Sequence, residues 1–217
     1  IVSVSIPESV TTIENKAFYY CENLIDVTVM GSLTKLGDYA FQYCTKLENL
    51  TFVGGLTNIG MAAISHCNML KEVSLPEGVE VIDEYVFDNS GIESIVIPAS
   101  VTSIGNYAFY ACRGLREVTF VDGVNTLSLG YNGSYGLFSS CPLETIYLGR
   151  NLSYSYGSSY GYSPFYNRDA LTSVVIGDSV TSIGSYAFYS CGNLATVTIG
   201  DNVTSIGSYA FQYCNSL

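Results

Sequence analysis

Short runs of alternating apolar and polar residues recur along the chain at nearly constant intervals. The run Leu194–Ile199 reads Leu-Ala-Thr-Val-Thr-Ile, and an alternation of period two is typical of a strand that buries one face. A second apolar pair follows each run, as Val203 and Ile206 follow this one, and a Gly comes directly after the Ile. The pattern predicts one short strand in each interval, followed by a tight bend.

The intervals are copies of one unit of 23 residues, L-x-x-V-x-I-P-x-x-V-T-x-I-G-x-Y-A-F-x-x-C-x-x, although one copy has 22 residues and two have 28. A strand this short cannot bury its apolar face alone, so successive units must stack into a parallel sheet. We expect a single solenoid over residues 1–217 without linkers, and with its capping units missing, because Leu217 only opens a tenth unit. The nine units start at Ile1, Leu24, Leu47, Leu70, Ile92, Leu115, Leu143, Leu171 and Leu194.

Each unit ends in a Tyr-Ala-Phe-x-x-Cys segment or a close variant of it. Its Ala, Phe and Cys have the spacing of one helical turn, which predicts short 3₁₀ or α turns on the convex side of the solenoid. The Phe position holds Phe in eight of nine units and Ile64 in the other. Rings repeated at the strand spacing predict a buried aromatic spine rather than an aromatic ligand site.

The cysteines and the histidine provide little chemistry. Seven Cys recur at the same point of the unit, with Ser90 and Arg168 replacing Cys in the other two units, so we interpret them as reduced core thiols. The sequence has no C-x-x-C motif and no Cys/His cluster, so we do not expect a zinc site. His66 precedes Cys67, but adjacent side chains usually diverge, so a catalytic pair is disfavoured. Paired acids for glycoside hydrolysis stay open, but we predict no enzyme, cofactor or metal.

Composition and charge limit the kinds of partner that the chain can bind. Eight Lys and Arg against nineteen Asp and Glu give a net charge of -11, which disfavours binding to a phosphate backbone. Hydrophobic residues make up 48% of the chain and charged residues 12%, which excludes disorder. The apolar runs are far shorter than the ~18 residues that a membrane span needs. We therefore expect neither nucleic-acid binding nor a membrane-spanning segment.

The units at Ile92–Gly114 and Leu171–Asn193 follow the pattern almost throughout, including Ala-Phe-x-x-Cys. In this repeat pattern the whole chain resembles the BspA-like class of leucine-rich repeats. The fold expected is an α/β solenoid, a leucine-rich-repeat right-handed superhelix with one short parallel β-strand per repeat and short 3₁₀/α turns on the convex side. The resemblance also implies a secreted or cell-surface protein that binds host matrix proteins or other cells, with no defined set of ligand-binding residues.

Two consecutive long repeats, 115–142 and 143–170, carry extra Gly, Ser and Tyr residues. Loops inserted at comparable points of stacked repeats should emerge side by side, and this composition resembles that of antibody paratopes. The alternative is that the two loops pack against each other over an irregular core. The candidate ligand-binding residues are Tyr135, Tyr147, Tyr154, Tyr156, Tyr160 and Tyr162.

The polar outer positions of the strands form a second candidate surface, although β-branched residues there also suit an exposed sheet without a partner. The function predicted is non-catalytic recognition or adhesion, with a host matrix or cell-surface protein or a glycan as the partner. A passive spacer within a larger surface protein is the alternative. The sequence does not distinguish the ligands or define an oligomeric state.

Overall fold

Two strand positions recur along the chain, rather than the one per repeat that the sequence predicts. The computed structural model describes residues 2–31, 33–130, 137–155 and 163–217. The first strands have four residues each: β1 Ser3–Ile6, β3 Asp26–Val29, β5 Asn49–Phe52, β8 Ser94–Ile97, β10 Glu117–Phe120, β12 Thr145–Leu148, β14 Ser173–Ile176 and β16 Thr196–Ile199. The second strands have two or three: β2 Thr12–Ile13, β4 Lys35–Leu36, β6 Asn58–Ile59, β7 Val81–Ile82, β9 Ser103–Ile104, β11 Leu127–Leu129, β13 Leu152–Ser153, β15 Ser182–Ile183 and β17 Ser205–Ile206.

All strand pairs are parallel, and each strand pairs with its equivalent in the neighbouring repeat. Asp26 lies opposite Ser3 on one side and Asn49 on the other, 23 residues away in each direction. The first strands form the sheets β1-β3-β5 and β8-β10-β12-β14-β16, and the second strands form β2-β4-β6-β7-β9-β11-β13 and β15-β17. The parallel solenoid is thus confirmed. Each strand series is interrupted once, and the two interruptions lie in different places.

The prediction of helical turns, and with it the α/β class, is wrong. Among the described residues the Tyr-Ala-Phe-x-x-Cys segments form successive tight turns, and no helix is present that could cross a membrane. The residue before Ala and the residue before Cys have positive φ, as at Tyr39 (58°) and Tyr43 (63°), and a left-handed residue in every four stops a helix. Every second amide of the segment also donates to the next repeat and not within its own turn, as Phe41 N donates to Ala63 O at 2.8 Å.

The core lies between the two strand series and the turn segments. First strands alternate exposed and buried residues, as in Asn49–Phe52, and the turn segments contribute the Phe spine. Phe87 and Phe109 are fully buried and stack with ring centroids 5.3 Å apart, and the same stacking continues through Phe138 and Phe165 to Phe188. The aromatic spine is therefore confirmed. Each buried ring contributes on the order of 2–3 kcal/mol from its apolar area.

The cysteine side chains form hydrogen bonds between repeats as well as packing in the core. All seven are free, and six are buried. The thiol of Cys191 donates to the carbonyl of Phe165 in the preceding repeat at 3.1 Å, and burial raises its pKa to about 12. Arg168, which replaces Cys in the seventh repeat, donates from Nη1 to the equivalent carbonyl of Phe138 at 2.5 Å. In these repeats the position supplies a donor to a carbonyl of the preceding repeat, and a guanidinium does this as a thiol does, whereas Ser90 of the fourth repeat lies 3.5 Å from Cys112 Sγ. The same thiol–carbonyl bond is made by Cys44, Cys67, Cys112, Cys141 and Cys214.

Candidate functional site

Tyr147 lies on the outer face of β12 and is half-buried. Its hydroxyl donates to Asp122 Oδ1 at 2.8 Å, and this bond to a carboxylate, more than burial, raises the pKa of the phenol. The ring covers Gly177 of the next repeat, where an added Cβ would lie 2.6 Å from the Tyr147 oxygen. Gly177 is therefore needed for this close approach. Tyr147 contacts its neighbouring repeats on the first-strand side of the solenoid.

Tyr154 follows β13 on the second-strand side and is also half-buried. Its hydroxyl donates to Ser185 O at 3.1 Å, and its ring covers Gly184 as Tyr147 covers Gly177. The structure thus places Tyr147 and Tyr154 on different strand series. The other four candidate tyrosines lie outside the described residues: Tyr135, Tyr156, Tyr160 and Tyr162.

The second-strand series is interrupted between β13 and β15, at the boundary of the seventh and eighth repeats, and side chains fill this interruption. The Asn151 side chain replaces strand pairing: Oδ1 accepts from the amides of Thr181 (3.0 Å) and Ser182 (3.1 Å), and Nδ2 donates to Thr181 Oγ1 (2.9 Å). The ring of Tyr154 covers the rest of the interruption. The cavity left beneath is about 20 Å³ and is lined by Leu148, Phe165 and their neighbours, which is room for little more than one water.

Arg150 is a fully buried cation in this region. Its Nη2 donates to Pro98 O (2.7 Å), and its Nη1 donates to Ala99 O (3.0 Å) and Val101 O (2.6 Å), so it spans from the seventh repeat to the fifth. Its Nε has no hydrogen-bond partner among the described residues. Burial lowers the pKa of the guanidinium, and the charge of Glu77 partly opposes this shift. Arg150 therefore holds the loop that follows β8.

The first-strand series is interrupted between β5 and β8, and two prolines explain why. Directly after most first strands a backbone amide donates to the preceding repeat, as Val53 N does to Val29 O at 3.0 Å. Pro76 and Pro98 occupy this position in the fourth and fifth repeats, and proline has no amide hydrogen. The segment 72–75, which lies between β5 and β8, is not a strand and makes only one bridge, between Ser74 and Thr51. The same position holds a donor in Met30, Val121, Gly149, Gly177 and Gly200.

This interruption is open to solvent. It forms a cleft of about 350 Å³, here called the proline cleft, lined by Glu72, Val73, Ser74, Leu75, Glu77, Ser94, Ile95, Val96 and Pro98. Glu72 and Glu77 are exposed, and Val96 is 54% exposed. Two nearby exposed cations are paired, Lys71 with Glu93 (2.5 Å) and Arg116 with Glu144 (3.0 Å), and the buried Arg150, on which the charge of Glu77 acts, donates its hydrogen bonds to carbonyls. The proline cleft is therefore acidic, with an apolar side chain on one wall.

The residues around His66 do not form an open catalytic site. Ser65 Oγ lies 2.7 Å from His66 Nδ1 and 3.5 Å from Asp88 Oδ2, but Ser65 is fully buried. Burial also raises the pKa of Asp88, against the lowering effect of His66. Cys67 is fully buried, its thiol donates to Phe41 O at 3.3 Å, and burial raises its pKa well above the ordinary value. Neither Ser65 nor Cys67 is accessible as a nucleophile. The described residues contain no cluster of His, Cys, Asp and Glu that could hold a metal ion.

Comparison with known proteins gives a family. A family model described as the BspA type leucine rich repeat region matches residues 1–116 and 80–217, in six copies. No relative was found among proteins of curated function. A crystal structure of a leucine-rich repeat protein from Bacteroides ovatus is similar in fold, with a TM-score of 0.57 and 23% identity over 100% of this chain and 73% of that chain.

Two further crystal structures match with lower TM-scores. A leucine-rich cell surface protein from Faecalibacterium prausnitzii has a TM-score of 0.46 and 22% identity, over 100% of this chain and 78% of that chain. The leucine-rich repeat protein of T. pallidum has a TM-score of 0.47 with the same identity and coverage. The two matched ranges of the family model together span the chain from end to end. The chain belongs to the BspA-type leucine-rich repeat family.

Proposed function

We propose that this chain is a non-catalytic recognition module, secreted or held at the cell surface, that binds a protein or glycan partner such as a host matrix or host cell-surface molecule. The observation that carries the proposal is the outer face of the first strands. In β10 and β14, as in β8 and β12, the inward residues are buried and the outward residues contact solvent in register from repeat to repeat. Such a face offers an extended, regular surface to a partner.

The chemistry of this face favours contact rather than catalysis. Its outward residues are mostly Ser, Thr, Asn, Asp and Glu, with single apolar residues such as Val96 and Val175. The Ser and Cys residues nearest His66 are buried, so this neighbourhood offers no nucleophile to a substrate. The net charge of -11 favours partners with basic surfaces over nucleic acids.

A binding screen with matched variants tests the proposal. Immobilised matrix proteins and a glycan array would be probed with the wild-type chain and with a variant that carries Arg at Thr28, Thr119 and Thr198 of the strand face. The control carries Arg at Ser208, Gln212 and Asn215, exposed positions of a turn segment, and so has the same net charge. We expect the strand-face variant to lose at least about tenfold in affinity and the control to keep it.

The passive spacer is the alternative that this experiment separates. A spacer would show no saturable binding to any member of either panel. Binding that both triple-Arg variants retain would instead move recognition away from the strand face, to the long repeats that contain the six candidate tyrosines.

A further inference from the structure

The proline cleft combines two features that one kind of side chain satisfies together. Val96 presents an apolar surface, and Glu72 and Glu77 supply carboxylates that form no direct ion pair among the described residues, the charge of Glu77 acting on the buried Arg150 without contact. Lysine and arginine side chains carry an aliphatic stem and a cationic head, so the stem can lie on an apolar wall while the head reaches a carboxylate.

The width of the interruption limits what can enter. Behind the cleft the second strands remain paired, β7 with β9, and Phe87 and Phe109 stack 5.3 Å apart. Behind the cleft the fourth and fifth repeats therefore keep the ordinary repeat spacing, so a complete strand, which needs about 4.8 Å on each side, cannot insert between them. The volume of about 350 Å³ on the first-strand side leaves room for a single side chain, with the backbone that carries it lying on the outer face.

The backbone of the cleft adds acceptors. In regular repeats the amide after each first strand donates to the preceding repeat, as Met30 N does to Ile6 O at 2.9 Å. Because Pro98 cannot donate in this way, the equivalent carbonyl of Leu75 has no backbone donor from the fifth repeat. An ammonium or guanidinium group offers several N–H donors, which such an acceptor can use.

The cleft also has a fixed wall. Arg150 binds the carbonyls of Pro98, Ala99 and Val101 from behind, so the loop that closes this end of the cleft is held from the seventh repeat. At the same end the amide of Gly78 donates to Ser100 Oγ at 3.1 Å, and at the other end the amide of Glu93 donates to Lys71 O at 2.8 Å. The opening is therefore part of a braced structure, and a ligand would find it already formed.

We propose that the proline cleft binds a lysine or arginine side chain presented by an extended segment of a partner protein. The inference rests on the proposed recognition function and gives it a contact point and a partner chemistry. It favours a basic protein segment over a glycan, because an ammonium or guanidinium group neutralises the charge of the carboxylates as well as donating to them, whereas the hydroxyls of a neutral sugar only donate.

The test uses small probes rather than an unknown partner. The ¹⁵N-labelled chain would be titrated with the N-acetyl, N-methylamide derivatives of lysine and of arginine, and with the norleucine derivative as the neutral control. We expect saturable amide shifts at Ser74 and Val96 with the cationic probes only. Glu72→Gln with Glu77→Gln should weaken binding at least about fivefold, because both carboxylates are lost. Glu14→Gln with Glu22→Gln, two exposed sites of the first repeat, has the same net charge and should leave binding unchanged.

A second pair of variants tests the geometry. Pro98→Val supplies the missing amide, as Val121 does in the next repeat, and should close the cleft and reduce the probe shifts. Pro7→Val makes the same change in the first repeat, outside the cleft, and should have no effect. Equal binding by the Glu72→Gln/Glu77→Gln variant and the wild type, or shifts that map elsewhere, would overturn the proposal.

Binding at the proline cleft and recognition by the strand face can fail separately. If the screen finds a protein partner whose binding needs the strand face but is indifferent to Glu72→Gln with Glu77→Gln, the cleft proposal fails and the recognition function stands. If the probes bind in the cleft but neither panel contains a partner, the recognition function loses its support while the cleft remains a cation site.

Discussion

The two interruptions of the strand series share one feature and have opposite outcomes. At each one, one series stops while the other continues: β7 pairs with β9 behind the proline cleft, and β12 pairs with β14 beside the gap between β13 and β15. The second gap is filled by Asn151 and Tyr154 to a residual volume of about 20 Å³, whereas the proline cleft keeps about 350 Å³. A break in a solenoid is therefore not itself a site. Whether a break can bind a ligand depends on the side chains that cover it or leave it open.

Arg150 connects the two regions. It lines the filled gap beside Leu152 and Tyr154, and its guanidinium holds the loop at Pro98 that bounds the open cleft. A buried cation bound only by carbonyls has lost its hydration, so removing it leaves several buried acceptors without donors. The comparison predicts that variants of the filled gap change stability and that variants of the open cleft change binding.

The largest effect is expected for Arg150→Met. The carbonyls of Pro98, Ala99 and Val101 would lose their donors, and the free energy of unfolding should fall by about 3–5 kcal/mol. Urea denaturation measures this loss. Arg113→Met, a change at an exposed arginine of a turn segment, is the control and should cost less than about 0.5 kcal/mol. A loss below about 1 kcal/mol at Arg150 would contradict the bracing role.

Tyr154→Ala is expected to have the next largest effect. The ring fills the gap over Gly184, so its removal should lower the free energy of unfolding by roughly 2 kcal/mol. Tyr154→Phe keeps the ring and loses only the bond to Ser185 O, at a cost of about 1 kcal/mol. If thermal unfolding shows both variants to be as stable as the wild type, Tyr154 does not seal the gap, and the ligand-binding role that the sequence predicts for it gains support.

Cys191 gives a pH-dependent effect of intermediate size. Burial raises its pKa from 9.0 to about 12, so the thiol stays protonated in the folded chain while it ionises in the unfolded chain. Its contribution to stability is therefore complete below pH 9 and is lost as pH rises toward 12. The stability difference between wild type and Cys191→Ser, measured by urea denaturation under reducing conditions, should shift by roughly 1–2 kcal/mol against the wild type between pH 8 and 10.5. A constant difference over this range would show that the thiol is not shielded.

The smallest effect on stability is expected at the open cleft. Glu72→Gln with Glu77→Gln removes two exposed carboxylates that have no ion-pair partner among the described residues, so the free energy of unfolding should change by less than about 0.5 kcal/mol. Differential scanning calorimetry checks this. A loss comparable with that of Tyr154→Ala would mean that the two carboxylates are structural, and the contrast between the two interruptions would disappear.

Much of the regular fold can be predicted from the sequence, because stacking imposes the same pattern on every repeat. The alternation in Thr196–Ile199 and the recurrence of Phe188 reveal the first strands and the spine. The second strands escape detection because a pair such as Ser205–Ile206 is too short to show a period. The turn segments mislead because the spacing of Ala, Phe and Cys also fits a helix, whereas the positive φ values that exclude one depend on contacts with the next repeat.

The irregular features left weaker signals. Prolines at the same position of two successive repeats, Pro76 and Pro98, mark the interruption, although each proline by itself indicates only the end of a strand. Arg150 follows Gly149 where Asp178 follows Gly177, a reversal of charge that indicated a special role. Its carbonyl partners two repeats away could not be predicted, because they depend on how the long sixth repeat is accommodated. The clustering of the six candidate tyrosines stays a prediction, since four of them lie outside the described residues.

Backbone hydrogen exchange tests the contrast between the two interruptions most directly. The amide of Val96 faces the segment 72–75, whereas those of Thr119 and Val175 face paired strands. We predict that Val96 exchanges at least about a hundredfold faster than Thr119 and Val175 in the native chain, and that Ser182, held by Asn151, stays protected. Pro98→Val should slow the exchange of Val96. Protection of Val96 equal to that of Thr119 in the wild type would show a continuous sheet and contradict the open cleft.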